Sequence, residues 1–308
     1  MIITVTLNPS LDRTIEVAEL ARGAMVRATA TRLDPGGKGV NVARALAAHK
    51  IPTCAVVPLG GAEGAQLTEL LEQEGIDVCA VPVRGSTRSN VSLVEPDGTV
   101  TKINEPGVQL GAADLDEIVA AVLSVADGAD WVVACGSLPP GVPSAFYARL
   151  GRLLPVRFAV DSSGPALTEA IGAGPALIKP NRNELAELVG FRIETAADAV
   201  RAAAEVRAAG VTAVLASLGA DGAVLVDGQG VRYGDSPVDR RRSAVGAGDA
   251  MLAGYLAGFM TGADPLVEAL SWGAAAVRFP GSRMPGPADV DRSSVRVHAE
   301  PHGKEKVS

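Results

Sequence analysis

The residue type and spacing most suggestive of chemistry lie in Ser243-Ala244-Val245-Gly246-Ala247-Gly248-Asp249, where a glycine pair runs directly into a long stretch rich in Ala and Leu. Small side chains let the backbone N–H groups of Ala247, Gly248 and Asp249 face a common point, and a helix dipole adds roughly half a positive charge there. That is a hole for an anion, and an aspartate beside it can take a proton from an incoming hydroxyl. Phosphoryl transfer needs both parts. The plainer alternative is a helix-start acid that only stabilises the dipole, by about 0.3–1 kcal/mol. Two better-known phosphate loops are excluded. A dinucleotide G-x-G-x-x-G needs glycine where Met251 stands, and a Walker A loop needs Ser or Thr where Gly39 follows Lys38.

Three further loops carry glycine or charge. In Asp34-Pro35-Gly36-Gly37-Lys38-Gly39-Val40-Asn41 the glycines allow backbone to approach a ligand, and Asn41 can donate and accept towards sugar hydroxyls. A tight loop before an amphipathic helix, with Lys38 solvated, reads equally well. In Lys179-Pro180-Asn181-Arg182-Asn183-Glu184 the spacing of Asn181 and Glu184 fits a capping box. It also fits a carboxylate that holds Mg²⁺ through water. Ser217-Leu218-Gly219-Ala220-Asp221-Gly222 is by itself a turn at a strand end. Arg88, in Thr87-Arg88-Ser89-Asn90, suits a phosphate bidentately or stands as an exposed arginine on a strand edge.

The elements that must position these loops alternate. β-branched runs at 2–7, 53–58, 131–135, 157–161, 176–179 and 211–217 read as strands; helical patterns cover 39–49, 63–74, 113–126, 185–189 and 196–209. That alternation predicts βαβ units and a mostly parallel, buried sheet. Period-two segments at 13–17, 26–33, 88–95 and 99–104 have no crossover helices, so a small separate sheet is expected beside the main layer. Asn8-Pro9-Ser10-Leu11-Asp12 reads as the end of the first strand, and 248–260 with 265–279 as a close-packed helix pair. In open α/β sheets, ligands lie beyond the carboxyl ends of the strands.

Composition narrows the class. The 308 residues are 47% apolar and 20% charged, which excludes bulk disorder. No apolar run is long enough for a membrane span, and the N-terminus lacks the basic and apolar regions of a secretory signal. Cys54, Cys79 and Cys135 are far apart and odd in number, which excludes a disulfide framework and suits a reducing, cytoplasmic setting. A net charge of −7 argues against nucleic acid as a partner, but not against a small anion bound at a local positive site.

Taken in order, these motifs resemble the ribokinase/PfkB family of carbohydrate kinases. Gly36-Gly37-Lys38-Gly39-Val40-Asn41 is similar to its first signature, and Val245-Gly246-Ala247-Gly248-Asp249 to its second. Asn8-Pro9-Ser10-Leu11-Asp12, Thr87-Arg88-Ser89-Asn90, Gly136-Ser137-Leu138-Pro139-Pro140-Gly141, Asp161-Ser162-Ser163-Gly164, Lys179-Pro180-Asn181 with Glu184, and Ser217-Leu218-Gly219 resemble its phosphosugar branch. That branch holds 1-phosphofructokinases, tagatose-6-phosphate kinases and the minor 6-phosphofructokinases. The resemblance implies a three-layer α/β/α sandwich with a mostly parallel central sheet and a small β-sheet lid. It implies one kinase domain over 1–297, lid strands inserted at about 13–33 and 86–105, and a flexible tail over 298–308.

Carried over residue by residue, Asp249 would be the general base and Gly246, Ala247 and Gly248 the anion hole. Asp12, Gly36, Gly37, Asn41 and Ser137 would hold sugar hydroxyls. Arg88 and Asn90 would hold the substrate phosphate, with Arg27 or Lys38 as further partners. Lys179, Asn181, Ser217, Gly219 and Gly222 would line the ATP site, and Glu184 would organise Mg²⁺. The resemblance leaves room for a monovalent cation near 241–245 and 280–284, and lid strands that clasp a second subunit imply a homodimer. The expected activity is ATP-dependent phosphorylation of a ketohexose phosphate, with a slight lean to fructose 1-phosphate from the lysine in Gly-Gly-Lys-Gly. The alternatives are tagatose 6-phosphate or fructose 6-phosphate as acceptor, or an inactive sugar-phosphate-binding pseudokinase. Two positions depart from the family pattern: Lys50, where relatives have glycine or serine after the first helix, and Ala244, where they favour a hydroxyl or valine.

Overall fold

Apolar on both faces, the short β-branched runs pair with one another, and helices cover the sheet they make. The computed structural model describes residues 1–298. In chain order the elements are β1 (Ile2–Thr6), β2 (Ser10–Val17), β3 (Ala28–Gly36), α1 (Lys38–Ala48), β4 (Thr53–Leu59), α2 (Gly61–Gln73), β5 (Asp77–Pro82), β6 (Arg88–Val94) and β7 (Val100–Asn104). Then come α3 (Ala112–Ala126), β8 (Trp131–Cys135), α4 (Phe146–Leu153), β9 (Arg157–Asp161), α5 (Gly164–Ile171), β10 (Leu177–Ile178), α6 (Arg182–Val189) and α7 (Ala196–Ala208). The last are β11 (Ala213–Ser217), β12 (Ala223–Asp227), β13 (Gly230–Asp235), α8 (Ala247–Thr261), α9 (Pro265–Ala276) and β14 (Arg296–His298).

The main sheet runs β14-β13-β12-β11-β10-β9-β8-β1-β4-β5. From β11 to β5 every pairing is parallel, and β12, β13 and β14 extend it antiparallel. β1, β4 and β8 are buried along their whole length, as a sheet covered on both faces requires. One core joins the sheet to α3–α7 through Ile118, Val122, Leu150, Leu167, Leu185 and Val206. On the other face Leu46, Leu252, Leu256, Leu270 and Trp272 bring in α1, α8 and α9, and Leu67 and Leu71 bring in α2. α8 and α9 touch through backbone: a Cβ at Gly254 would lie 2.5 Å from the Glu268 carbonyl oxygen, and one at Gly258 2.8 Å from Pro265 Cα.

The second sheet runs β3-β2-β6-β7, with β2 and β6 parallel and the outer pairs antiparallel. Its first strand begins earlier than expected, at Ser10, just after Pro9; Ser10-Leu11-Asp12 opens β2 rather than ending β1. The register sets Arg88 opposite Ser10 and Asn90 opposite Asp12, while Gly36 faces Ser10 across the other pairing. The strand expected over 176–179 shrinks to Leu177–Ile178, since Pro180 offers no donor. α4 and α5 are eight residues each and start among Pro, Ser and Gly, so periodicity does not reveal them. β5, β12, β13 and β14 also escape the pattern. His298, assigned to the tail, pairs with Tyr233 in β14; residues 299–308 of that expected tail lie outside the described ones.

Lys50 follows the end of α1 at φ 59°, in the left-handed region that favours glycine, so its departure from the family pattern is a helix-cap matter. The side chain is exposed. Lys50→Gly is therefore expected to stabilise the fold by about 1 kcal/mol, readable as a higher urea midpoint at unchanged slope.

Candidate active site

The loops that follow the carboxyl ends of the parallel strands enclose, together with the small sheet, a cavity of about 950 Å³. Six cationic side chains line it (Lys38, Arg88, Lys179, Arg182, Arg241 and Arg242) against two acids, Asp161 and Asp249. A chain of net charge −7 thus concentrates positive charge in one place, which suits a ligand with several negative charges.

At the cavity floor α8 begins. Gly246 caps it at φ 77° and ψ −6°, a left-handed conformation that calls for glycine, with the flexible end of Met284 packed 2.7 Å from where a Cβ would be. Of the three amides expected to form an anion hole, Ala247 N–H bonds to the Ala244 carbonyl at 3.3 Å. Those of Gly248 and Asp249 have no acceptor among the described residues. Gly248 matters for a second reason: Lys179 Nζ stands 3.2 Å from where its Cβ would be. Ala244 brings no hydroxyl, but Ser243 Oγ one residue earlier accepts the Val245 N–H at 3.1 Å.

Asp249 is only 6% exposed, and its Oδ2 accepts from Asn41 Nδ2 at 2.8 Å. Burial, then the nearby Asp161 charge, push the Asp249 pKa up to about 6; the Asn41 hydrogen bond and Lys38 and Lys179 act the other way. Asp161, at the end of β9, is fully buried between Lys38 Nζ at 2.9 Å and Lys179 Nζ at 3.2 Å. Burial opposes its charge, yet Lys179 and Lys38 hold its carboxyl below the usual range. Burial likewise opposes the Lys38 ammonium, but Asp161 and Glu184 hold its pKa well above the ordinary value. Two lysines share one carboxylate here, which leaves a net positive charge at the cavity wall.

The remaining candidates divide. Gly37, Asn90, Asn181, Ser217, Gly219 and Gly222 join the lining. Arg88 is half-buried rather than on an exposed edge: Nη1 donates to the Glu105 carbonyl at 3.0 Å and Nη2 to the Asn8 carbonyl at 3.1 Å. Asp12 stands behind Asn90 and Ser10; its Oδ1 accepts from Asn90 Nδ2 at 2.9 Å and Ser10 Oγ at 2.8 Å. Its carboxylate rests on Gly36, where any Cβ would collide with it. Ser137 is exposed and takes a 3.4 Å bond from Asn8 Nδ2, outside the lining. Arg27 is exposed in the segment before β3 and does not reach the cavity.

Glu184 closes a capping box: its Oε2 accepts the Asn181 N–H at 2.8 Å, and Asn181 Oδ1 accepts the N–H groups of Asn183 and Glu184 at 2.9 Å each. Oε1 faces Lys38 Nζ at 3.8 Å, and no trio of metal-binding side chains forms among the described residues. One carboxylate oxygen beside a polyanion pocket nevertheless fits Mg²⁺, which binds one or two carboxylates plus phosphates and keeps its waters.

Sequence reading missed Asp161, Arg182, Arg241 and Arg242 as lining, and the apolar wall of Val238, Leu270, Ala274 and Val277. The run Arg240-Arg241-Arg242 just before the glycine loop was a usable signal; a single acid at a strand end was not.

A model described as pfkB family carbohydrate kinase matches residues 5–278. A 1-phosphofructokinase of Rhodobacter capsulatus is 43% identical over 271 residues, 85% of each chain. One of Haloferax volcanii is 40% identical over 301 residues, 96% of this chain and 97% of that one. Solved structures of Escherichia coli phosphofructokinase-2, one with substrates and products and one with potassium, superpose with a TM-score of 0.88. They are 33% identical and cover 94% of this chain and 96% of theirs.

The raised pKa of Asp249 has a stability sign. The folded state binds this proton more tightly than the unfolded chain does, where the value is 3.8, so the charged form's cost is absent below that and develops as pH rises through about 6. Asp249→Asn is expected to raise stability at pH 8, by on the order of 3 kcal/mol. The gain in Tm should vanish towards pH 4, checked by calorimetry across that range.

Proposed function

The chain belongs to the pfkB family of carbohydrate kinases, and we propose that it transfers the γ-phosphoryl group of ATP to a hydroxyl of fructose 1-phosphate, giving fructose 1,6-bisphosphate. The observation that carries this reading is the buried Asp249 carboxylate beside two unbonded helix amides in a cationic cavity. The acceptor rests on relatives named 1-phosphofructokinase and on Lys38 within its glycine loop.

With a pKa of about 6, Asp249 is ionised at neutral pH yet more basic than an ordinary carboxylate. Asn41 holds Oδ2, which leaves Oδ1 to take the proton of the attacking hydroxyl. The Gly248 and Asp249 amides and the Lys38 and Lys179 ammonium groups stabilise the charge on the moving phosphoryl group. Among the buried atoms of lining residues, Asn41 Oδ1, Asn90 Oδ1 and Arg88 Nε have no hydrogen-bond partner. They supply two acceptors and one charged donor, the complement of a sugar phosphate. Asp12 and Gly36 seat Asn90 behind this face, while Gly37 and Ser137 flank it.

ATP would lie along Lys179, Asn181, Ser217, Gly219 and Gly222, with its base against Val238, Ala274 and Val277. Glu184 Oε1 would hold Mg²⁺ through water, and the metal would neutralise phosphate charge. The segments expected to hold a monovalent cation meet at Gly246, where Ser282 Cα lies 3.7 Å from the would-be Cβ. We read residues 1–297 as one kinase domain acting in the cytoplasm. Exposed Met25 before β3, and Val100 and Ile103 on β7, support a homodimer through the lid, and Arg27 would sit at that contact.

Steady-state kcat/KM with Mg-ATP, measured side by side, is expected to favour fructose 1-phosphate over fructose 6-phosphate and tagatose 6-phosphate by at least about tenfold. A preference for either rival reassigns the acceptor. Asp249→Asn is expected to reduce kcat by ~10²–10⁴-fold with KM for ATP nearly unchanged. The acid limb of the wild-type pH profile should fall near pH 6 and move to higher pH in Asn41→Ala, which loses the hydrogen bond favouring the charged form.

A further inference from the structure

Arg44 lies on α1, one turn beyond Asn41, and is 8% exposed. Glu74 grips it with both oxygens, Oε2 to Nε at 2.7 Å and Oε1 to Nη2 at 2.8 Å. Its remaining nitrogen, Nη1, donates to two carbonyls, those of Pro35 and Ser282, at 3.3 Å each. Pro35 is the last but one residue of the lid strand β3, next to the Gly36 that seats Asp12. Ser282 belongs to the loop packed on Gly246, where Met284 reaches within 2.7 Å of a would-be Cβ. A second contact runs alongside: Arg32 of β3, paired with Asp34 at 2.6 Å, lies against Gly281. The lid and the loop packed on the turn that opens α8 are distant in sequence but share one guanidinium.

We propose that Arg44 is a positioning residue that couples the lid to the anion hole, so that a shift of β3 is transmitted through the 281–284 loop to Gly246 and the amides of Gly248 and Asp249. A planar guanidinium can be clamped along one edge by a carboxylate and still present a fixed donor from its remaining nitrogen; an ammonium cannot. The lid then sets the alignment of the amides, and the γ-phosphoryl group is well held only when an acceptor holds the lid. Water is the competing acceptor that this arrangement rejects. The inference rests on the kinase reading for its consequence, but not for the coupling itself.

The test uses the full chain and four variants: Arg44→Lys, Glu74→Gln, Leu33→Ala on the lid strand, and Leu33→Ala with Arg44→Lys. Amide hydrogen exchange is followed over 278–285 without ligand. Leu33→Ala is expected to speed exchange there at least threefold in the wild-type background and by well under half as much in the Arg44→Lys background, where only the Arg32–Gly281 contact still joins lid and loop. With Mg-ATP and the phosphosugar, Arg44→Lys should raise the ratio of ATP hydrolysis to phosphoryl transfer at least tenfold and raise KM for the sugar, at unchanged KM for ATP. Glu74→Gln should lower Tm and leave that ratio within a factor of two. Arg44→Lys that lowers Tm but keeps the wild-type ratio, or Leu33→Ala with equal effect in both backgrounds, overturns the coupling. Wild-type protein that phosphorylates no phosphosugar would refute the kinase reading instead, and the exchange cycle would still decide for or against Arg44.

Discussion

The carboxylate of Asp161, buried between two lysines, sets the electrostatics on which the whole cavity depends. It draws Lys38 from the start of α1 and Lys179 from the end of β10 to the same point, and so fixes where two loops meet. Because the ammonium groups outnumber it, the wall keeps a positive charge. Its own charge also reaches Asp249 and, with burial, makes that group a stronger base. A neutral side chain at Asp161 would leave two cations crowded together and a less basic Asp249. One buried anion thereby serves both halves of the transfer chemistry.

Much of this was legible in the sequence where chemistry and local structure coincide. The glycines before Asp249 have to open a helix, and both the loop and the acid are visible in a short window. Asn41 was readable as a polar residue inside an apolar helix, although its Nδ2 serves Asp249 rather than a sugar. Glu184 shows both of its readings at once, one oxygen capping α6 and the other facing the cavity side. What was not legible is long-range. Asp161 acquires its role partly from Lys38, 123 positions away, and Arg44 from a carbonyl 238 positions away; no periodicity encodes such meetings. The fold followed the same rule. Long parallel strands with crossover helices announced themselves, whereas the short α4 and α5 and the antiparallel edge were lost among turn residues.

The site is built against stability in a local and specific way. Asn41 Oδ1, Asn90 Oδ1 and Arg88 Nε lie buried without partners, and Asp249 carries a charge its surroundings disfavour. Some buried polar groups are satisfied, as Ser162 is by the Gly136 carbonyl, while Thr4, Thr53 and Trp131 in the main sheet also bury a polar atom without a partner. What sets the cleft apart is that its unmet donors and acceptors line a cavity a ligand can enter, whereas those of the sheet are enclosed by packing.

The backbone contact between α8 and α9 bears on how faithfully the anion hole can point. Where two rods are separated by interlocking side chains, rotamer changes let them slide. Gly254 and Gly258 remove that cushion and seat α8 on the Glu268 carbonyl and on Pro265. The aim of the first-turn amides is thus governed by main-chain stiffness, like a barrel bolted along its length. Neutral drift in this pair of helices must then spare those two positions, even though neither comes near a reacting atom.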